Sequence, residues 1–178
     1  MRGGVSVVVQ PRLAGVGQST PMGNNMGKAE NISLKRLGPA DLCLLRQLLT
    51  CYAHAFNEQE VYAKAPASNS YLQGFLSRDS VVVLVALQAG SVIGGLTAYE
   101  LLKPEQQRSE MYLYDLAVAA EHRRCGVATA LISELKLIAK KMGAYEVFVQ
   151  ADYEDPPAIA LYSGLGVRED VLHFSMKT

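Results

Sequence analysis

Apolar positions change their period along the chain, and the changes mark its elements. Residues 32–37, Ile-Ser-Leu-Lys-Arg-Leu, alternate and predict a first strand. Gly38-Pro39 breaks the alternation, and Pro39 suits the first turn of a helix, with Asp41 near its positive end. Leu42, Leu45, Leu48, Leu49, Tyr52 and Phe56 then recur at helical spacing and predict an amphipathic helix over residues 39–56 with a core-facing stripe. Residues 56–66 read as an acidic loop and residues 70–76 as a short second helix, a pair that could wall a substrate cleft.

Two apolar runs, residues 80–87 and 91–102, flank Gln88-Ala-Gly90 and predict a hairpin. A polar loop over residues 103–109 leads to a strand over 110–118. After Gly126, Val127, Leu131, Leu135 and Ile138 keep a helical period as far as Lys140-Lys-Met-Gly143, where basic residues and glycine suit a helix end. A strand at 145–150, a short helix at 158–162 behind Pro156-Pro157 and a last strand at 167–176 complete the series. No internal repeat is present. These elements predict an α/β (α+β) domain over residues 31–178, with a mixed, mostly antiparallel central sheet flanked by helices. Residues 1–30 carry Gly, Ser, Asn, Pro11 and Pro21 without sustained periodicity and read as an N-terminal arm.

Composition narrows the partners. The 178 residues are 49% hydrophobic, enough for one well-filled core, and 17 basic residues balance 17 acidic ones. Without a basic run longer than Arg123-Arg124 or Lys140-Lys141, nucleic acid is not an expected partner. Cys43, Cys51 and Cys125 form no C-x-x-C pair and have no histidines at ligand spacing, so neither a disulfide framework nor a metal site is predicted. They read as reduced thiols of a cytoplasmic protein. Apolar runs are too short for a membrane span, and the short patch Val5–Val9 is too weak for a secretory signal. A small molecule is the expected partner.

Candidate chemistry concentrates where the strand ending at Val118 meets the helix after Gly126. In Arg123-Arg-Cys-Gly-Val-Ala128, Gly126 and Ala128 leave room for an anion to approach the backbone. The first amides of the helix lack internal partners and point outward with partial positive charge. Arg123 and Arg124 add formal charge, Cys125 and Val127 contribute backbone, and Thr129 offers a hydroxyl, an arrangement suited to a diphosphate. Read from this hexapeptide alone, an ordinary strand-to-helix turn is equally compatible. The sequence contains neither G-x-x-x-x-G-K-[ST] nor G-x-G-x-x-G.

The pattern [RQ]-x-x-G-x-[GA] after a strand holding Leu116 and Val118, followed downstream by Ala158-Ile-Ala-Leu-Tyr-Ser-Gly-Leu-Gly166, resembles the GNAT superfamily of N-acetyltransferases over residues 32–176. The runs Arg108-Ser-Glu-Met-Tyr-Leu-Tyr-Asp-Leu-Ala-Val118, Glu121-His-Arg-Arg124, Gly143-Ala-Tyr145 and Val149-Gln-Ala-Asp-Tyr153 are similar to the aminoglycoside 3-N-acetyltransferases within it. The resemblance implies the acetyltransferase fold and acetyl-CoA as donor, with its pyrophosphate on Arg123–Thr129 and its pantetheine arm along the backbone of Leu116, Ala117 and Val118. It also implies Tyr162 as general acid toward the departing thiolate, the 3-amino group of a 2-deoxystreptamine ring as acceptor, and a possible homodimer. Cys125 inside the pyrophosphate loop departs from the family, but that loop works through its backbone. The pantetheine arm separates Cys125 from the thioester, so direct transfer in a ternary complex is favoured over a covalent acetyl-enzyme.

Amide formation requires a site that holds a cationic amine and lets one proton leave. Asp115, on the central strand at the parity of Met111, Leu113 and Ala117, is the candidate for both tasks; a buried structural aspartate is the alternative. Glu110 at the strand's entrance, Asp152 and Asp155 after the next strand, and Glu58 and Glu60 in the acidic loop are further candidates for a polycationic acceptor, each open to a solvated reading. Proton removal through ordered water also remains open. Three readings follow: an aminoglycoside acetyltransferase, a polyamine or protein-amine acetyltransferase with the same machinery, and a non-enzymatic acyl-CoA-binding regulator.

Overall fold

The computed structural model describes residues 32–178, so the arm expected over residues 1–30 lies outside the described residues. The elements run β1 (Ile32–Arg36), α1 (Leu42–Ala55), α2 (Gln59–Lys64), α3 (Asn69–Leu76), β2 (Val81–Gln88), β3 (Ser91–Lys103), β4 (Arg108–Val118), a 3-10 turn (Ala120–His122), α4 (Val127–Met142), β5 (Ala144–Val149) and α5 (Pro156–Ser163). They build one five-stranded sheet in the order β1-β2-β3-β4-β5. The first four strands are antiparallel neighbours, while β5 lies parallel to β4. Parallel pairing needs a crossover, and α4 provides it.

Helices cover both faces of the sheet, as the apolar run of β2 requires. Val82, Leu84 and Ala86 face α4, packing with Leu96, Met111, Leu113, Leu116, Leu131 and Leu135. Val81, Val83 and Val85 face the opposite way, toward Leu45, Leu48 and Tyr52 of α1 and Leu72 and Leu76 of α3. A strand buried on both faces reads as a continuous hydrophobic run rather than an alternation.

Three local expectations change. The first helix begins at Leu42 rather than at residue 39, because the Asp41 carboxylate accepts from the Gly38 amide at 3.0 Å and pairs with Lys35 at 2.6 Å, closing residues 38–41 into a turn. The acidic loop contains the six-residue helix α2. The strand expected over residues 167–176 is not formed: no element follows α5, and Val167, Leu172 and Met176 are more than 80% exposed, at 96%, 84% and 87%. Their alternation is that of a strand, but no strand among the described residues pairs with it, and β5 forms the edge of the described sheet.

Gly95 sets how closely α1 approaches β3. A Cβ there would lie 2.5 Å from the Leu84 carbonyl oxygen and 2.7 Å from Leu48 Cδ1. Neither the adjacent backbone nor the fully buried Leu48 has room to yield. Gly95→Ala is expected to lower stability by about 1–3 kcal/mol, read from the urea unfolding midpoint. An unchanged midpoint would show that α1 is not held against the sheet at this point.

Candidate active site

The centre of β4 is irregular. Thr97 of β3 pairs with Asp115, but the next β3 residue, Ala98, pairs with Leu113, which leaves Tyr114 as an extra residue on β4. Such a bulge reverses side-chain alternation beyond it. Met111 and Leu113 before the bulge, and Leu116 and Val118 after it, therefore share the α4 core, whereas Ala117 belongs to the α1/α3 side. This corrects the parity read from the sequence: Asp115 goes with Ala117 and faces away from Met111 and Leu113. The bulge turns the carboxylate toward α1 and α2.

On that side Asp115 is enclosed mainly by phenols. The Tyr52 and Thr97 hydroxyls are hydrogen-bonded at 3.0 Å in a buried pair, with Thr97 directly opposite Asp115 in the β3–β4 ladder. Burial raises the Asp115 carboxyl to about 6, and the nearby Glu58 charge adds to the shift. Reciprocally, Tyr52, Tyr62 and Tyr99 are pushed upward, first by burial and then by the Asp115 charge, Tyr62 to about 12. Glu58, the residue that opens α2, is thus brought near Asp115, while Glu60 two residues on is exposed.

A row of rings extends from this carboxylate. Phe75 of α3 meets Tyr99, Tyr99 meets Tyr114, and Tyr114 meets Tyr112, all edge to face. Tyr112 then stacks on Phe148 of β5 with centroids 4.8 Å apart. Sequence reasoning passed over these residues. Their signal was the number of tyrosines within two consecutive strands, but their shared face follows only from strand pairing.

The other side of β4 opens where β5 leaves it. Pairing ends at Leu113↔Val149, so among the described residues the β4 backbone from Asp115 onward is paired only with β3. Leu116, Ala117 and Val118 have buried side chains, and what they present at this opening is backbone. Beyond them the 3-10 turn leads to Arg123, whose Nε donates to the Val118 carbonyl at 3.0 Å. Arg123 thus braces the loop, while Arg124 and Cys125 are exposed. Arg124 and Gly126 both take left-handed backbone, at φ 60° and 79°, and no side chain caps the start of α4. The space where a Gly126 Cβ would sit is open. Val127 is buried beneath the first turn, with Ala128 half-buried and Thr129 exposed.

Tyr162 approaches from α5, which rests on the α4 side of the sheet through the fully buried Ala158. Its hydroxyl is buried and has no hydrogen-bond partner among the described residues. Burial, followed by the Asp155 charge, raises its pKa well above that of an ordinary phenol, so it stays protonated at neutral pH. The Asp155 side chain accepts from the Ala158 amide at 3.1 Å and caps α5, a structural task that the sequence reading did not give it. Asp152 is exposed in the turn between β5 and α5. Glu110 pairs with Lys103 at 2.8 Å and accepts from the Tyr145 hydroxyl, five residues down β4 from Asp115. At ~3.3 Å per residue that places it about 15 Å from the bulge, away from the acceptor candidates.

Known proteins supply the assignment of this layout. Residues 44–167 match the profile of the Acetyltransferase (GNAT) family. The chain belongs to the GNAT acetyltransferase family. The fold is similar to an aminoglycoside acetyltransferase from an uncultured soil metagenomic sample, with a TM-score of 0.81 and 49% identity over 83% of this chain and 99% of that one. A second soil metagenomic aminoglycoside acetyltransferase, in complex with sisomicin, gives a TM-score of 0.77 and 30% identity over 83% and 96% of the two chains. In sequence the chain is also similar to N-acetyltransferase family 8 member 2 of Rattus norvegicus, 30% identical over 51% of this chain and 40% of that protein. It is 29% identical to N-acetyltransferase 8 of Homo sapiens, over 54% and 43% of the two chains. The chain thus spans less than half the length of these two relatives.

GNAT acetyltransferases use acetyl-CoA, and the residues present fit it. The uncapped start of α4 and the open, left-handed Gly126 suit a pyrophosphate on backbone amides. The unpaired edge of β4 can hydrogen-bond an extended amide-bearing arm, and the partnerless Tyr162 hydroxyl suits a sulfur.

A carboxyl raised above its unfolded value makes stability depend on pH with a defined sign. The fold favours protonated Asp115, so the group's relative stabilisation is complete below pH ~4 and is lost as the pH rises through about 6. Asp115→Asn is therefore expected to be more stable than the parent at pH 8, by on the order of 1–2 kcal/mol, with the difference gone at pH 4. Urea unfolding at both pH values measures it. A difference independent of pH would mean that Asp115 is not held above its ordinary range.

Proposed function

We propose that this GNAT protein transfers the acetyl group of acetyl-CoA to the 3-amino group of an aminoglycoside, by direct transfer in a ternary complex, and so confers resistance to the drug. The observation that carries this reading is the Asp115 carboxylate, enclosed at the β4 bulge and raised to about 6. The 49% identity to an aminoglycoside acetyltransferase over nearly all of that chain supports the choice of acceptor.

When bound, acetyl-CoA supplies an acetyl group activated as a thioester. At pH 7 a carboxyl near 6 is about nine-tenths ionised, able to hold an ammonium and basic enough to accept a proton from it. Glu58 adds negative charge beside it, and the exposed Asp152 adds a carboxylate at the mouth of the turn before α5. Tyr162 keeps its proton at this pH and donates it as the sulfur departs. The left-handed Arg124–Gly126 turn and the start of α4 hold the diphosphate, with Arg123 fixing the turn to Val118. The free thiols Cys43, Cys51 and Cys125 accord with a cytoplasmic protein.

A second reading, acetylation of another primary amine such as a polyamine or lysine, is favoured by the mammalian N-acetyltransferase 8 relatives. Turnover assays with sisomicin, spermidine and a lysine peptide separate the two. Activity confined to spermidine or the peptide rejects the first reading, and acetyl-CoA binding without turnover on a broad amine panel rejects both. For sisomicin, kcat/KM is expected to rise through a limb centred near pH 6, and Asp115→Asn is expected to lose that limb and about 10²–10⁴-fold of the rate while acetyl-CoA affinity survives. Tyr162→Phe is expected to lower kcat by about 10²-fold with little change in KM; a pure rise in KM would assign the phenol to packing.

A homodimer belongs to the same proposal. It is supported by the strand-like, exposed residues 167–176 and by the edge strand β5. Light scattering is expected to give twice the chain mass, and removal of residues 167–178 to give the monomer. A full-length monomer at micromolar concentration would rule it out.

A further inference from the structure

We propose that Glu58, brought beside Asp115 by α2, holds a second ammonium group of the acceptor, so that the site selects amines bearing two cationic groups over monoamines. The proposal rests on the reading that an amine meets Asp115, and does not depend on whether that amine belongs to an aminoglycoside or a polyamine.

Exposure along α2 singles out two residues. Gln59, Glu60, Val61, Ala63 and Lys64 are exposed, whereas Glu58 and Tyr62 are half-buried. The Tyr62 amide donates to the Glu58 carbonyl at 3.2 Å, so the two stand one helical turn apart and share a face. That face is turned inward, because Tyr62 packs against the α1/α3 core that includes Tyr52 and Ala117. Asn57 makes the approach possible: its left-handed backbone, at φ 55°, turns the chain after α1, and the Glu58 amide bonds back to the Ala53 carbonyl at 3.0 Å.

Folding alone does not account for a second carboxylate at this place. Burial is the first cause that raises Asp115, and the Glu58 charge is the second, so the two repel. No Lys or Arg forms an ion pair with either group among the described residues. Tyr52 of α1, Tyr62 of α2, Tyr99 of β3 and Tyr112 of β4 also feel the Asp115 charge, but they are phenols held above their ordinary range and stay neutral. Tyr114, another phenol, adjoins Asp115 in the chain. A single ammonium in such surroundings neutralises one carboxylate and leaves the other, whereas two ammonium groups on one molecule match both. A lysine side chain carries only one, so Glu58 also disfavours a protein acceptor.

The test compares cis-1,3-diaminocyclohexane with cyclohexylamine as competitive inhibitors, against whichever of sisomicin and spermidine the parent acetylates. The parent is expected to bind the diamine about tenfold more tightly, and Glu58→Gln to lose that preference with its affinity for cyclohexylamine unchanged. Glu60→Gln removes the same charge from the exposed side of α2 and is expected to keep the preference. For the acceptor itself, Glu58→Gln is expected to raise KM about tenfold with little change in kcat. Its kcat/KM limb is expected to move to lower pH, since a charge that raises Asp115 is gone. Equal affinities for the two compounds in the parent, or a preference that survives Glu58→Gln or vanishes alike in Glu60→Gln, overturn the proposal. A loss of affinity for both compounds in Glu58→Gln overturns it too and assigns the residue to structure. If the parent acetylates neither acceptor, the proposed transfer fails separately, and calorimetry with the two compounds becomes the readout. A diamine preference lost in Glu58→Gln then upholds the proposal, while absent binding or absent preference in the parent overturns it.

Discussion

One extra residue in β4 organises this protein. Without a bulge at Tyr114, strict alternation would leave Asp115 on the side of Met111 and Leu113, inside the apolar core under α4, where an ionised carboxylate has nothing to balance it. With the bulge, Leu116 and Val118 return to that core and Asp115 moves to the opposite face. The strand also loses its β5 neighbour just before this point, since the last paired residues are Leu113 and Val149. A single irregularity and a single divergence thus place a carboxylate on one side of β4 and unpaired backbone at its edge. On the proposed reading, acceptor and donor would meet there without either disturbing a core.

The surroundings of Asp115 carry a cost that the fold accepts. Burial among Tyr52, Tyr62 and Tyr99, with Glu58 close by, disfavours the ionised form that is needed to hold a cation. The buried Tyr52–Thr97 pair, with Thr97 directly opposite Asp115, keeps both hydroxyls satisfied. The cationic acceptor proposed above would relieve the repulsion between Asp115 and Glu58, because it would supply the positive charge that the described residues around them do not. Destabilisation of the unliganded site and affinity for a cation have the same electrostatic origin.

Much of this was readable in the chain. The helical stripe Val127, Leu131, Leu135, Ile138 and the apolar run of β2 gave α4 and a doubly buried strand, and the two spaced motifs identified the acetyltransferase fold. The errors fell where pairing, rather than periodicity, decides. Parity counted along β4 failed at Asp115 because a bulge is a property of two strands. The strand expected over 167–176 has the alternation of one but no strand to pair with among the described residues. The carboxylates could be found by composition but not ranked by it: Glu110 is held by Lys103 and Tyr145, and Asp155 caps α5, tasks set by neighbours distant or local in ways that charge alone does not reveal.

The chain's zero net charge bears on how it would recognise the polycationic acceptor proposed for it. A zero net charge supplies no net long-range attraction, and at physiological salt such attraction would fade within about 8 Å in any case. Selectivity then has to come from contact: a few carboxylates in a site of low polarity, where charge counts for more than in water, and rings whose faces are weakly negative. The neighbourhood of Asp115 combines both, with Glu58 beside it and Tyr52, Tyr62 and Tyr99 around it. Phenols contribute negative faces without the desolvation cost of further carboxylates. On the proposed reading, a neutral protein could therefore line its acceptor site with tyrosine instead of further acid.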